Sequence, residues 1–284
     1  MNATNRNDLN GYNRSQNRGL FWNWENFLTY KKDFGDHHFS FLAGQTAQKN
    51  AGQGIGGSIQ DIPVDNIDDA SLAFPNDPMA QSFFGFEYEE TLSSLFGRIT
   101  YDYASKYLLT ANLRRDGSSK FGANNLYGIF PSISLGWVVT EENFLSNHPF
   151  INFLKVRGSY GVNGNNRIGN FLFVSTVGGG RSYTFGTSDE LVNGVTPNAI
   201  ANPDLRWEEA REVNVGIDAR IFRHFSVTAE YFDKTTDGLL LGVEAPAFVG
   251  NAGPVANIAE LTNEGFELEL GFDKKFGKFN IDIS

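Results

Sequence analysis

Gly52-Gln53-Gly54-Ile55-Gly56-Gly57 has the GxGxxG spacing with which a glycine loop brings backbone amides against a pyrophosphate. That chemistry also needs a helix N-terminus facing the anion, and Ser58 to Asp69, with Pro63 inside, offers none. The segment is read as a flexible outer loop. Asp233, Thr235, Asp237, Gly238 and Glu244 stand at positions 1, 3, 5, 6 and 12 of a calcium loop. Thr replaces the acid at position 3 and strands, not helices, flank the run, so the match is read as coincidental, with a weak calcium site in the outer loop left open. Arg114-Arg115-Asp116-Gly117-Ser118-Ser119 has the make-up of a functional cluster, but a charged hairpin with a Gly turn explains it without a ligand, as a salt-bridge and hydrogen-bond network that locks a loop. The four histidines, His37, His38, His148 and His224, fall near turns, and none is paired with a GxSxG serine or an HExxH set. No catalytic residue, metal site or cofactor is assigned, and a membrane-barrel esterase or protease is the weak enzymatic alternative.

The elements that carry these residues alternate with period two. Val213, Val215, Ile217, Ala219 and Ile221 are apolar, while Glu212, Asn214, Asp218 and Arg220 between them are polar. Leu154, Val156, Gly158, Tyr160 and Val162 alternate in the same way with Lys155, Arg157, Ser159 and Asn163. Successive side chains of a strand point to opposite faces, so each such segment predicts a strand with one greasy and one ionic face. The alternation predicts strands near 20–32, 37–47, 92–103, 107–115, 129–139, 153–162, 211–222, 225–234, 264–273 and 279–284.

Tight turns at 33–36, 104–106, 223–224 and 274–278 alternate with long polar segments at 48–91, 116–128, 163–210 and 235–263. The connection 140–152 is longer, and Thr140-Glu141-Glu142-Asn143 before Pro149 predicts a single helical turn there. Short turns at one end and long loops at the other are the plan of a barrel between lipid and water. Trp22, Trp24, Tyr103, Tyr107, Trp137, Tyr160 and Tyr231 share the apolar parity and are expected near strand ends, at the level of lipid headgroups. Mid-strand residues such as Ile99, Leu109, Ala111, Ile133, Leu135 and Val215 are aliphatic or small. The competing fold is a soluble β-sandwich, whose loops are seldom long at one end only.

Composition narrows the function. Absence of cysteine among 284 residues removes disulfide scaffolds, thiolate metal sites and cysteine nucleophiles. A net charge of −10 with scattered basic residues argues against a nucleic-acid partner. No apolar run reaches the roughly 18 residues of a membrane-spanning helix.

The blocks RRDGSSKFGANNLYGIFPSISLGWVVTEENF (114–144), INFLKVRGSYGVNGNNRIGNF (151–171), NPDLRWEEAREVNVGIDARIF (202–222), EYFDKTTDGLL (230–240) and ANIAELTNEGFELEL (256–270) resemble the barrel of SusC/RagA-like TonB-dependent outer-membrane transporters. Their order and spacing, from about Leu20 onward, are more specific than any one block. The resemblance implies an all-β, antiparallel transmembrane barrel segment of about ten strands, somewhat under half of a barrel of about 22. Residues 1–284 are then expected to be part of a barrel domain, with the signal, the plug domain with its TonB box, and the C-terminal strands lying outside this chain. It also implies active import of oligosaccharides or peptides across the outer membrane of a Gram-negative bacterium, a SusD-like surface lipoprotein as lid, and the TonB complex acting through the plug. On the polar parity Arg98, Asp102, Asn112, Arg114, Lys155, Arg157, Glu212, Asn214, Asp218, Arg220, Glu267 and Glu269 are the candidate lumen-lining residues, each of which a solvated wall position would also explain. A receptor for iron chelates or cobalamin is the nearest alternative; a passive pore and a surface glycan-binding protein are weaker ones.

Overall fold

The computed structural model describes residues 10–64, 66–73, 76–146, 148–187 and 190–283. Strands run over β1 (Gly11–Phe34), β2 (His37–Gln60), β3 (Gln81–Tyr103), β4 (Tyr107–Ser118), β5 (Tyr127–Val138) and β6 (Ile151–Asn165). Four short pieces follow, β7 (Val177–Gly178), β8 (Tyr183–Phe185), β9 (Glu190–Val192) and β10 (Thr196–Pro197). The chain then returns to β11 (Glu208–Ile221), β12 (Phe225–Gly242), β13 (Val255–Phe276) and β14 (Phe279–Ile283). One ten-stranded sheet has the order β1-β2-β3-β4-β5-β6-β11-β12-β13-β14, and β7 to β10 form two small ladders of their own. Contacts divide the chain into two compact units, residues 1–23 with 48–91, and residues 24–47 with 92–284.

Every predicted strand is present, and several are longer than the alternation indicates. β1 begins at Gly11, β2 continues to Gln60 and β3 begins at Gln81, so the connection expected over 48–91 shrinks to 61–80. The glycine run 52–57 is therefore strand, not flexible loop. An added Cβ at Gly52 or Gly54 would stand 2.5 Å from a ring carbon of Tyr88 or Phe86, and one at Gly56 closer still to Phe84. Glycine at alternate positions lets the β3 rings lie across β2, which holds the strand without aliphatic alternation. Likewise β4 reaches Ser118, β12 reaches Gly242 and β13 begins at Val255.

The short turns tighten by positive φ: Ala104 and Ser105 at +52° and +56°, Phe222 and Arg223 at +54° and +65°, Gly35 and Gly277 at +58° and +60°. The adjacent pairs at 104–105 and 222–223 match the right-handed twist of a hairpin, while the turns at Gly35 and Gly277 carry one positive φ each. The Asp102 carboxylate accepts a 2.8 Å bond from the Ser105 amide. In the connection after β5 the expected helical turn is a 3₁₀ turn over Val139–Glu141. Aromatic rings gather at this end: Tyr103 with Tyr107, Phe150 with Phe222, and Phe225 with Phe272. Trp22, Trp24, Tyr160 and Tyr231, expected near strand ends, instead stand well inside their longer strands.

Glu142 ties the turn to the rings. Its carboxylate accepts 2.5 Å from the Tyr107 hydroxyl and 3.3 Å from the Trp137 indole N–H, with the Lys106 ammonium at 3.5 Å. The Tyr107 bond first, then the indole bond and the nearby lysine, hold the carboxyl below its ordinary range. A depressed folded pKa stabilises above the unfolded value and stops doing so as pH falls through the folded one. Acidification through the lower carboxylate range is thus expected to release the clamp and change Trp137 fluorescence. Glu142→Gln should remove that acid transition, and an identical transition in the variant would refute the assignment.

Candidate functional site

The register of the unit formed by residues 24–47 and 92–284 sorts its side chains into two faces. One cross-strand row is Tyr101, Leu109, Leu135, Gly158, Val215, Tyr231 and Phe266. The next row, on the opposite face, is Asp102, Leu108, Gly136, Arg157, Gly216, Glu230 and Glu267. Val215 is 52% exposed and Leu268 67%, large aliphatic side chains with nothing over them, whereas Asn214 between Val213 and Val215 is 9% exposed. This is the reverse of a water-soluble protein and suits a sheet whose open face meets hydrocarbon.

All the lumen candidates share the polar face. On β11 and its neighbours they form one network: the Arg157 guanidinium donates to Asp218 at 3.2 Å and to Asn214 at 3.1 Å, and also to Glu230. The Asn214 amide donates to Glu230 as well. One guanidinium thereby joins β6, β11 and β12, its fork satisfying two carboxylates that would be costly to leave unpaired on a crowded face. Glu230, which the alternation alone does not single out, is the residue that completes the set. It lies on the polar parity of β12, between Ala229 and Tyr231, and meets Arg157 across β11, where both are in register with Gly216.

A second group links Arg98 to Asn112 at 2.6 Å and Asn112 to Ser132 at 3.0 Å, across β3, β4 and β5. Between the groups lies a cavity of about 260 Å³ lined by Leu108, Thr110, Ser134, Gly136, Lys155, Arg157 and Ser159. Lys155 reaches over Gly136 and is paired in register with Asp218. Glu212 stands opposite Gly161 and Lys234, and Glu267 and Glu269 stand opposite Glu230 and Thr228. Asp102 and Arg220 are not part of either network: Asp102 caps a turn, and Arg220 bonds Asp273 and the carbonyl of Arg223 beside another.

Arg114 donates 2.7 Å to Asp116 and 2.8 Å to Ser94, and Arg115 lies 3.7 Å from the Tyr127 ring centroid. The network expected there exists, but on β4 and not in a turn. Beyond it, the loops expected to be loose polar excursions close over an apolar core of Phe121, Phe130, Val162, Leu205 and Trp207, with Leu205 fully buried. Trp207 packs its ring 5.0 Å from Phe121 and 5.4 Å from Phe130 and donates its indole N–H to the Leu126 carbonyl at 3.3 Å. Asn202 donates to the Val255 carbonyl, and Asn257 donates to the carbonyls of Arg206 and Gly238, all at 2.8 Å. The Ile200 amide also donates to the Ala252 carbonyl at 3.1 Å, so three connections, 119–126, 166–207 and 243–254, are fastened to one another. The sequence signal was the Leu205-x-Trp207 alternation, two large apolar residues in an otherwise polar stretch.

Asp233, Thr235 and Asp237 are spread along the extended β12, where alternate residues are too far apart to converge on one ion. Asp237 is taken by Arg206 at 3.3 Å, with Arg211 at 3.9 Å. Among the described residues no group of three or more His, Asp or Glu side chains could hold a metal. The histidines serve turns: His38 bonds Asp33, His148 accepts from the amides of Phe150 and Ile151, and His224 meets the Asp273 carbonyl.

A ten-stranded antiparallel sheet, with an apolar and an ionic face across Leu92–Tyr103 of β3 and the strands from β4 to β13, and its long connections at one end, defines a piece of a transmembrane β-barrel. The chain belongs to the TonB dependent receptor-like β-barrel family, whose model matches residues 2–284. It is 40% identical over 275 residues to TonB-dependent receptor P39 of Formosa agariphila, covering 92% of this chain and 25% of that protein. It is 32% identical over 258 residues to TonB-dependent receptor SusC of Bacteroides thetaiotaomicron, covering 86% of this chain and 24% of that protein. The fold matches that of the RagAB peptide transporter with a TM-score of 0.84 at 24% identity, over 96% of this chain and 30% of that one. The chain spans about a quarter of the length of the curated relatives it matches. The family is one of receptors and transporters, not of enzymes.

Proposed function

We propose that this chain is the wall section of an outer-membrane importer of a Gram-negative bacterium, one that takes up oligosaccharides or peptides with energy delivered through TonB. A SusD-like surface lipoprotein is the partner this reading calls for at the long-loop end, and the TonB complex acts through a plug seated against the polar face. The observation that carries it is that face: the Arg157, Asn214, Asp218 and Glu230 network and the Arg98, Asn112 and Ser132 group give a wet wall of both signs, on which a plug can be held by mixed polar contacts. Family membership and the likeness to SusC support the same reading. The test is uptake of the nutrient by cells carrying the full-length protein, with and without TonB. Uptake that persists without TonB would make the protein a passive pore.

The long-loop end is expected to carry the ligand and lid contacts. In the connection 166–207, β7 and β10 pair at Val177 with Pro197 and Gly178 with Thr196, closing the base of an excursion. Residues 179–195 can therefore be replaced by a two-glycine link without disturbing Leu172, Leu205 or Trp207. This variant should insert normally and lose uptake; unchanged uptake would remove the excursion from the transport cycle.

A further inference from the structure

The rings of Phe84, Phe86 and Tyr88 sit at alternate positions of β3, each laid over a glycine of β2: Gly56, Gly54 and Gly52. Phe86 and Tyr88 have nearly parallel ring planes, 11° apart, with centroids separated by 6.4 Å. The outer end of each ring occupies the space that a side chain at its glycine would need. The rings nevertheless stay open, Phe84 and Phe86 at 47% and Tyr88 at 37% exposure. Hydrogen-bonding side chains border the row. Asn17 points its amide oxygen at the place where Gly54 would carry a Cβ, and Ser58 and Ser82 share a 2.6 Å hydroxyl bond beyond Phe84.

Rings that serve only as filling are closed in on all sides; these are not. The exposed face of an aromatic ring is its negative side and attracts weakly positive C–H groups. A pyranose presents such C–H groups on a flat face and hydroxyls around its rim. A straight file of rings with amide and hydroxyl groups alongside fits a linear chain of sugars better than a peptide, which would need pockets for alternate side chains. We propose that Phe84, Phe86 and Tyr88 form a stacking platform for a saccharide chain, the glycines of β2 leaving the room the rings need. This deepens the import reading by choosing saccharide as the nutrient class, and it rests on that reading for its place in transport.

The test is calorimetric binding of linear oligosaccharides of glucose, xylose, mannose and galactose to the full-length purified protein, where TonB plays no part. At least one should bind to the unaltered protein. Phe86→Leu, which keeps apolar volume but loses the flat face, should weaken it about tenfold, and Gly54→Ala, whose methyl would tilt the Phe86 ring, should do likewise. Phe86→Tyr, which keeps the plane, should bind as the unaltered protein does. Native heat-modifiable gel mobility of each variant separates lost binding from lost fold. Binding unaffected by Phe86→Leu in a folded protein would overturn the proposal. So would failure of every oligosaccharide, or a mixed tryptic peptide pool binding in their place through Phe86. TonB-dependent uptake retained alongside any of these results would leave the import reading standing while this one falls.

Discussion

Val215→Arg in the full-length protein is expected to lower its stability in bilayers by roughly 2–4 kcal/mol, while Thr228→Arg changes it little. Val215 stands in the middle of β11 on the open aliphatic face, 52% exposed and in register with Gly158 and Tyr231. A guanidinium there has no partner and no water. Thr228 is on the opposite face, in register with Asp218 and Glu269, so an added cation would meet two carboxylates in a hydrated space. Asn214 is the nearer neighbour but a poorer control, because it is 9% exposed and already bonded to Arg157 and Glu230. Denaturant midpoints of the two variants in reconstituted bilayers decide the matter. Equal damage from both would mean that the assignment of faces is wrong for this part of the sheet.

Trp207→Ala is expected to cost about 3–5 kcal/mol, the usual range for emptying an aromatic site in a packed core. The loss is confined to the long-loop end. The indole there touches Phe121 and Phe130 and bonds the Leu126 carbonyl, so its removal frees the connections 119–126 and 166–207 together. Limited proteolysis should cut the variant in both connections, with the strands and heat-modifiable mobility retained. Tyr183→Ala, at a residue 67% exposed in the outlying ladder of β8 and β9, should leave the cleavage pattern unchanged. If the two variants behaved alike, the core would have no role in fastening the loops.

The strands of the lipid-contacting type were legible because each of their faces meets a different solvent, and that difference writes itself into alternate residues such as Asn214 and Val215. The same rule was silent over 48–60 and 81–91, where strand continues but glycines and rings hold it by cross-strand contact and no aliphatic stripe is needed. The polar parity of Arg98, Arg157 and Asp218 could be read directly; their partners could not, because Arg157 and Glu230 are 73 residues apart and meet only through the register of two strand pairs. The loop core was hidden for a related reason. Phe121 lies in one connection, Leu205 and Trp207 in another, and Phe130 and Val162 on strands, so nothing local joins them into one cluster.

The strand order carries a consequence for how the wall is built. Most neighbours in the sheet are also neighbours in the chain, joined by tight turns or modest loops, so each hairpin can close as soon as its two strands are available. The seam between β6 and β11 is different, since residues 166–207 must be spanned before its ladder can begin. Closing that long segment is entropically the slowest of the pairings, and it draws Leu205 and Trp207 against Phe121 and Phe130 at the same moment. Assembly should therefore proceed as two halves, one ending in β6 and one starting at β11, that zip together once the loop core has condensed.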